Sequence, residues 1–533
     1  MLFNSFEFIL FFLPVTLAFF YFLGRKGSQE FSIIWLVLAS LFFYGWWNPA
    51  YLLLIIASIL FNYSVGRTLS NSDNLSFLKH AVQKKSFLIF GISANLSLLA
   101  YYKYANFFID NVNYVTGTDF QLDKIILPLA ISFFTFQQIT FLIDAYRGIT
   151  KEYSFSHYCL FVTFFPQLIA GPIVHHQEML PQFAKKEIYK FDYENISVGM
   201  TIFFIGLFKK VVIADGIAMH ASSVFAMAEN NSILTMTEAW GGAMAYTFQL
   251  YFDFSGYSDM AIGLARMFGI RLPLNFHSPY KAHNIIEFWH RWHITLSRFL
   301  RDYLYIPLGG NRKGKFRRYI NLFITMLIGG LWHGASWTFV VWGALHGFYL
   351  IINHGFHAIR RMLGHDLSSF TGWGNFTSQM ITFAAVIVGW VFFRAETFDG
   401  AYNMLYAMSG LNGIALPTSY IELLNNLNGA GNILSQWGII VQKPARFDFF
   451  GGIELHILIA LTLIVLYLPN TQQFMYNFRP AYEIYKGEIE PYRHKLFNFR
   501  FSFSASLLIT MMVLITMLTI QTIQKSEFLY YDF

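Results

Sequence analysis

Sulfur chemistry is nearly missing from this chain. Cys159 is the only cysteine, which excludes intrachain disulfides and cysteine metal clusters. Its neighbours offer no activating cation beyond His157, so the thiol reads as a small buried hydrophobe rather than a nucleophile. Charge is scarce as well: 13% of residues are Asp, Glu, Lys or Arg, against roughly 25% in an ordinary soluble domain. Low-complexity segments and solenoid repeats are lacking, and no soluble domain stands out. What is present is apolar sequence, 55% of the chain. Stretches free of charge run over 8–24, 31–66, 86–102, 125–143, 154–177, 319–359, 374–393, 455–478 and 501–524. One span needs roughly 20 apolar residues and the longest stretches hold two, which predicts about eleven membrane helices. The expected fold is an all-α integral membrane protein.

The basic residues read as a record of topology. The first apolar segment has no basic leader and no small-residue cleavage site, so it is expected to be a retained span. Arg25 and Lys26 follow it, which puts that loop in the cytosol and the N-terminus outside. The stretch 31–66 reads as a hairpin with Trp46, Trp47, Asn48 and Pro49 as its outer turn, and Lys79 marks the return to the cytosol. Arg312 and Lys313 lie in a later cytosolic loop, and Lys486 in another that leaves the C-terminus outside. The net charge of +7 therefore need not signal nucleic acid, since no recognition motif accompanies it. Two stretches, 178–238 and 253–318, resist assignment as simple spans. Short, tilted or re-entrant helices around a polar central cavity are expected there, where irregular backbone survives at membrane depth.

Three polar clusters interrupt the apolar sequence. One runs from Gln249 to Asp259 and includes Asp253 and Ser255; a second runs from Glu287 to Tyr305 and includes Arg291 and His293. The third holds Trp332 and His333 inside a run with no charged residue from Tyr319 to Ile359, and His346 follows. An ionisable ring at membrane depth is a functional candidate, because hydrocarbon cannot solvate it. The spacing Glu287-x-x-His290 matches half of a carboxylate-bridged metal motif, but no second copy exists, so no metal site is predicted.

The strings Asp253 to Gly263, Leu272 to Tyr280, Phe288 to Gly314 and Gly329 to Gly343 resemble the shared core of the membrane-bound O-acyltransferases, especially the bacterial alginate O-acetylase type. Phe164 to Ile173 and Val391 to Ala395 support the resemblance. It implies that His333, in the Trp-His-Gly string, is essential for acyl transfer, and that His293 is the family's second recurrent histidine. One departure is His290, where many relatives carry arginine. The chemistry fits independently: moving an acyl group from a thioester to a hydroxyl requires removal of the hydroxyl proton, and a neutral imidazole is a natural base near pH 7. Trp332 and His293 could donate to the oxyanion. Asp253 could orient a histidine, with Ser255 and Arg291 beside the substrate, and Arg312 with Lys313 could dock donor phosphates.

The resemblance further implies an inner-membrane O-acetyltransferase of a bacterium, with acetyl-CoA as the simplest cytosolic donor and no tightly bound cofactor. It would acetylate an exported polysaccharide such as alginate with a periplasmic SGNH-hydrolase-like partner. On this reading 1–533 is one polytopic domain: spans in 1–152, a catalytic core in 153–393, an extracytoplasmic excursion in 394–451 around Asn425 to Asn432, and spans in 452–533. Two alternatives stay open, a D-alanyl transferase for teichoic acid and a transporter of polysaccharide or lipid-linked sugar.

Overall fold

Without water, backbone N–H and C=O groups must be bonded within their own segment, so long apolar runs become helices. The computed structural model describes residues 1–25, 27, 29–70, 81–149, 154–366, 372–415, 439–440, 453–482, 492, 499–522 and 528–529. Lys26, Lys79, Lys486 and Asn425 to Asn432 lie outside the described residues. Among those described, the elements are helical apart from a two-residue parallel pair, Ile414–Ala415 with Ile439–Ile440.

Six helices are long and apolar enough to cross a membrane. They are α1 (Glu7–Arg25), α3 (Ala50–Ser70), α9 (Tyr193–Glu229), α14 (Trp337–Met362), α15 (Gly372–Arg394) and α19 (Phe503–Thr522). The other elements that matter below are α2 (Gln29–Gly45), α4 (Ala81–Thr116), α5 (Ile131–Tyr146), α6 (Phe155–Thr163), α7 (Phe165–Leu168), α8 (His176–Phe183), α10 (Met236–Met267), α11 (Ile285–Arg291), α12 (Ile294–Leu300), α13 (Gly314–His333), α16 (Phe398–Met408), α17 (Ile453–Tyr467) and α18 (Thr471–Phe474). The chain is thus an all-helical membrane protein.

The contacts divide it into two units, one of Met1–Val211, Ser255–Asn275 and Thr471–Phe533, the other of Val212–Phe254 and Phe276–Asn470. In the first unit α2 and α3 form the expected hairpin, turning at 46–49. Buried amides join α3, α4 and α5: Asn62 and Asn95 exchange hydrogen bonds at 3.1 and 2.7 Å, and Gln138 Nε2 donates to Ser58 Oγ at 2.9 Å. Such polar side chains hold helices together where lipid supplies no hydrophobic drive.

Two expectations are corrected by these helices. The run 154–177 is not one span: α6 ends after nine residues, about 14 Å, because Pro166 in the next turn cannot continue the ladder. Within 178–238, where short, tilted or re-entrant helices were expected, the short α8 and a 3-10 turn at Lys186–Tyr189 come first, but α9, which continues into the second unit, then runs unbroken for 37 residues. Lys209 does not interrupt it. Its ammonium bonds to Asp259 Oδ2 at 2.6 Å and to Thr471 Oγ1 at 2.7 Å, and the helix widens there into a π turn over Lys209–Ala214, a local irregularity common at functional positions. Glycines bring α9 against α10. A Cβ on Gly199 would lie 2.6 Å from the Gly263 carbonyl oxygen, and one on Gly206 would lie 2.5 Å from that of Gly256.

In the second unit, by contrast, short helices do occupy 285–305. There Glu229, at the end of α9, caps α16: it accepts from Glu396 N at 2.8 Å and from the Thr397 hydroxyl at 2.5 Å.

Candidate active site

His333 is the last residue of α13, and only residues 334–336 separate it from α14. The hairpin closes this tightly because Gly330 and Gly343 face each other across it. A Cβ on Gly330 would lie 2.3 Å from the Phe339 carbonyl oxygen, and one on Gly343 would lie 2.4 Å from that of Met326. Gly334 leaves the helix in extended conformation, and the Ser336 hydroxyl caps α14 by accepting from Thr338 N at 3.3 Å. The His333 imidazole is therefore fixed at the tip of the hairpin, 3% exposed. Three aromatic rings enclose it: Trp332 at 4.8 Å, Trp342 at 5.1 Å and nearly perpendicular, and Phe393 at 5.1 Å. This surrounding excludes bulk water, which strengthens any charge interaction made inside it.

His293 stands at the corner between α11 and α12. Its backbone is left-handed, φ 42°, a conformation that costs a non-glycine residue roughly 1–2 kcal/mol and persists where packing enforces it. The ring is fully buried, meets Phe254 edge-on at 4.8 Å and lies 6.2 Å from Trp332. One indole, that of Trp332, thus touches both histidines. Three of the residues singled out from the sequence, His333, His293 and Trp332, are brought together.

Asp253 and Ser255 are both buried on α10, but residues two apart on a helix do not face each other. Phe254, between them, is the residue that reaches His293. The polar run 249–259 is accordingly spread around the helix, and Asp259 faces Lys209. Arg291 is held by Glu287 at 2.6 Å, while Glu287 also accepts from His283 N at 2.8 Å. Burial, reinforced by the Arg291 and Lys281 charges, holds His277 down at about 4, and burial with Arg291 beside it lowers Lys281 to about 8. Among the described residues no group of three His, Cys, Asp or Glu side chains is placed to hold a metal ion. Arg312 and Lys313 are exposed just before α13, whose 20 residues put them about 30 Å along the helix axis from His333.

Sequence reasoning missed two features. Trp342 contacts His333 on one side and His346, at 4.9 Å, on the other; the spacing of His346 four residues after Trp342 was the available sign. The Lys209, Asp259 and Thr471 group was also missed. Two lysines inside an apolar run, Lys209 and Lys210, signalled it, but partners 50 and 262 residues away could not be found by pattern.

The model of the membrane-bound O-acyltransferase family (MBOAT) matches residues 80–395, a segment that includes both histidines and Trp332. The chain belongs to the membrane-bound O-acyltransferase family. Peptidoglycan O-acetyltransferase of Helicobacter pylori is 46% identical over 457 residues, covering 80% of this chain and 84% of the relative. The probable alginate O-acetylase AlgI of Pseudomonas aeruginosa is 41% identical over 458 residues, covering 85% and 81%. The teichoic acid D-alanyltransferase of Streptococcus thermophilus is more distant, 26% identical over 280 residues, covering 50% and 68%. This MBOAT protein is therefore a membrane acyltransferase, and an enzyme rather than a transporter.

Proposed function

We propose that this MBOAT enzyme takes acetyl from a cytosolic thioester, most simply acetyl-CoA, and passes it across the bacterial inner membrane for O-acetylation of a polysaccharide outside. The relatives' names support a glycan acceptor, peptidoglycan in one and alginate in the other. A periplasmic SGNH-hydrolase-like partner completes the transfer to sugar. The observation that carries this reading is the buried His333 at the hairpin tip, with Trp332 joining it to His293.

In the proposed reaction His333 takes the proton of the acceptor hydroxyl as its oxygen bonds to the acyl carbon. The carbon–sulfur bond then breaks, and the departing sulfur takes the proton from the imidazole. The carboxyl end of α13 is the negative end of its dipole, which favours the positive charge developing on the ring. Trp332 and His293 stabilise the oxyanion, Asp253 and Ser255 contribute from α10, and Arg291 acts near the substrate once released from Glu287. Arg312 and Lys313 dock donor phosphates at the cytosolic end.

Labelled acetyl transfer from acetyl-CoA to a reconstituted SGNH-type partner tests the proposal. His333→Ala is expected to lose at least roughly 10²-fold to 10⁴-fold, the contribution of a general base, while His293→Ala keeps some activity. Transfer by folded His333→Ala near the wild-type rate would remove this histidine from the chemistry. Absence of transfer by the wild-type protein from acetyl-CoA, with transfer from an aminoacyl carrier protein, would favour the D-alanyl reading instead.

A further inference from the structure

The first unit contains a cavity of about 690 Å³, well within the size range of small-molecule sites. Its lining joins distant stretches of chain: Lys185 after α8, Arg266 in the last turn of α10 with Arg271 four residues beyond that helix, and Arg479 after α18. Three carboxylates also line it, Glu187, Asp192 and Glu194, and two of them have partners within the lining. Asp192 Oδ1 caps α9 by accepting from Glu194 N at 2.8 Å and Asn195 N at 3.2 Å. Glu194 pairs with the buried Arg266 at 3.4 Å. The lining therefore carries four cations, Lys185, Arg266, Arg271 and Arg479, against three carboxylates, a surplus of one positive charge.

The two remaining guanidinium groups sit on backbone that is held in place. The Gln182 amide clamps Arg271, donating to its carbonyl at 2.9 Å and accepting from its N–H at 2.9 Å. Arg479 has a left-handed backbone, φ 42°. Its segment is tied to that of Arg271 by the bond from Tyr482 N to the Leu272 carbonyl at 2.9 Å. Neither Arg271 nor Arg479 has an ion pair among the described residues. Guanidinium forks match the oxygens of a phosphate.

We propose that this cavity is a second ligand site of the enzyme and binds a phosphate ester. Its position supports a cytosolic opening. Gly24, at the end of α1, packs on Tyr189 so closely that a Cβ would lie 2.7 Å from the Tyr189 carbonyl oxygen, so the 185–195 rim shares the end of the unit that carries Arg25. By the basic-residue rule that end faces the cytosol. A phosphate ester can reach it as the headgroup of an anionic lipid or as a soluble phosphorylated molecule. The site stands apart from the role of His333, because its test reads binding and not acetyl transfer.

The test uses the full-length protein carrying Arg312→Gln and Lys313→Gln, so that donor docking at that loop does not mask the cavity, with two probes: coenzyme A by equilibrium dialysis, and phosphatidylglycerol retained from mixed phosphatidylglycerol–phosphatidylcholine vesicles by native mass spectrometry. Arg271→Gln with Arg479→Gln is expected to weaken at least one probe roughly 30-fold, at about fivefold per cation. Loss of coenzyme A alone identifies a soluble phosphate ester, and loss of phosphatidylglycerol alone identifies a lipid headgroup. Glu187→Gln, which removes the opposing charge from the same rim, is expected to tighten the same probe a few-fold. It decides the matter should the double variant fail to fold. Protein of this background that binds neither probe, unaltered binding of both by the double variant, or no tightening by Glu187→Gln overturns the proposal.

Discussion

Replacing Lys209 with Met is expected to destabilise this membrane protein far more than a surface substitution, and replacing Asp259 at the same time is expected to recover most of the loss. The pair is largely buried, with side-chain exposures of 15% and 7%, and its N···O distance is 2.6 Å. At that distance and an effective dielectric of about 20 the attraction is roughly 6 kcal/mol. Desolvation costs several kcal/mol for each ion, so the net contribution of the intact pair is small. Lys209→Met alone leaves the Asp259 carboxylate with only Thr471 Oγ1 at 2.6 Å and Gln472 Nε2 at 3.4 Å, neither of them charged. Removing one partner of such a pair costs about 3–5 kcal/mol. Asp259→Leu strands Lys209 in the same way. The double variant buries two apolar side chains instead and is expected near wild type, giving a coupling energy of roughly 3 kcal/mol or more. Thermal unfolding of the four purified proteins in detergent reads the cycle, with each single variant lowered by several degrees. Additive single effects, or singles as stable as wild type, would refute the account of Lys209 as a neutralised charge that lets α9 run unbroken.

Arg312→Gln with Lys313→Gln is expected to raise the apparent donor requirement by about fivefold per charge while membrane insertion stays normal; a donor titration measures it, and an unchanged dependence would leave the loop with a topological role alone. His346→Ala removes a fully buried ring packed beside Gly389, where a Cβ would lie 2.9 Å from His346 Nε2. Unfolding of this variant should show a loss on the order of 2–4 kcal/mol, with most acetyl transfer kept per folded molecule; a loss of transfer as deep as that of His333→Ala would place His346 in the machinery. In a Cys159→Ser background, single cysteines at 312, 313 and 486 are expected to react from the cytosolic side and cysteines near either terminus from outside, and outside labelling at 313 would overturn that map.

Composition alone determined the class of this chain. Too few charges and enough apolar runs leave helices in a bilayer as the solution that satisfies the backbone, and the loop residues Trp46 to Pro49 marked one hairpin turn. His333, His293 and Trp332 were legible because an imidazole stands out in charge-free sequence and because the strings around it resemble a family. Tertiary structure decided the rest. Whether 154–177 crosses in one piece depended on Pro166 and the break at Phe164, and whether 178–238 breaks depended on a carboxylate 50 residues beyond Lys209. The polar run 249–259 looked like one cluster in sequence, but the helical period sends Asp253 and Asp259 to different neighbours. Partners far apart in sequence leave no local pattern: an isolated lysine in an apolar run reads the same whether it ends a helix or finds its aspartate, and only packing distinguishes the two.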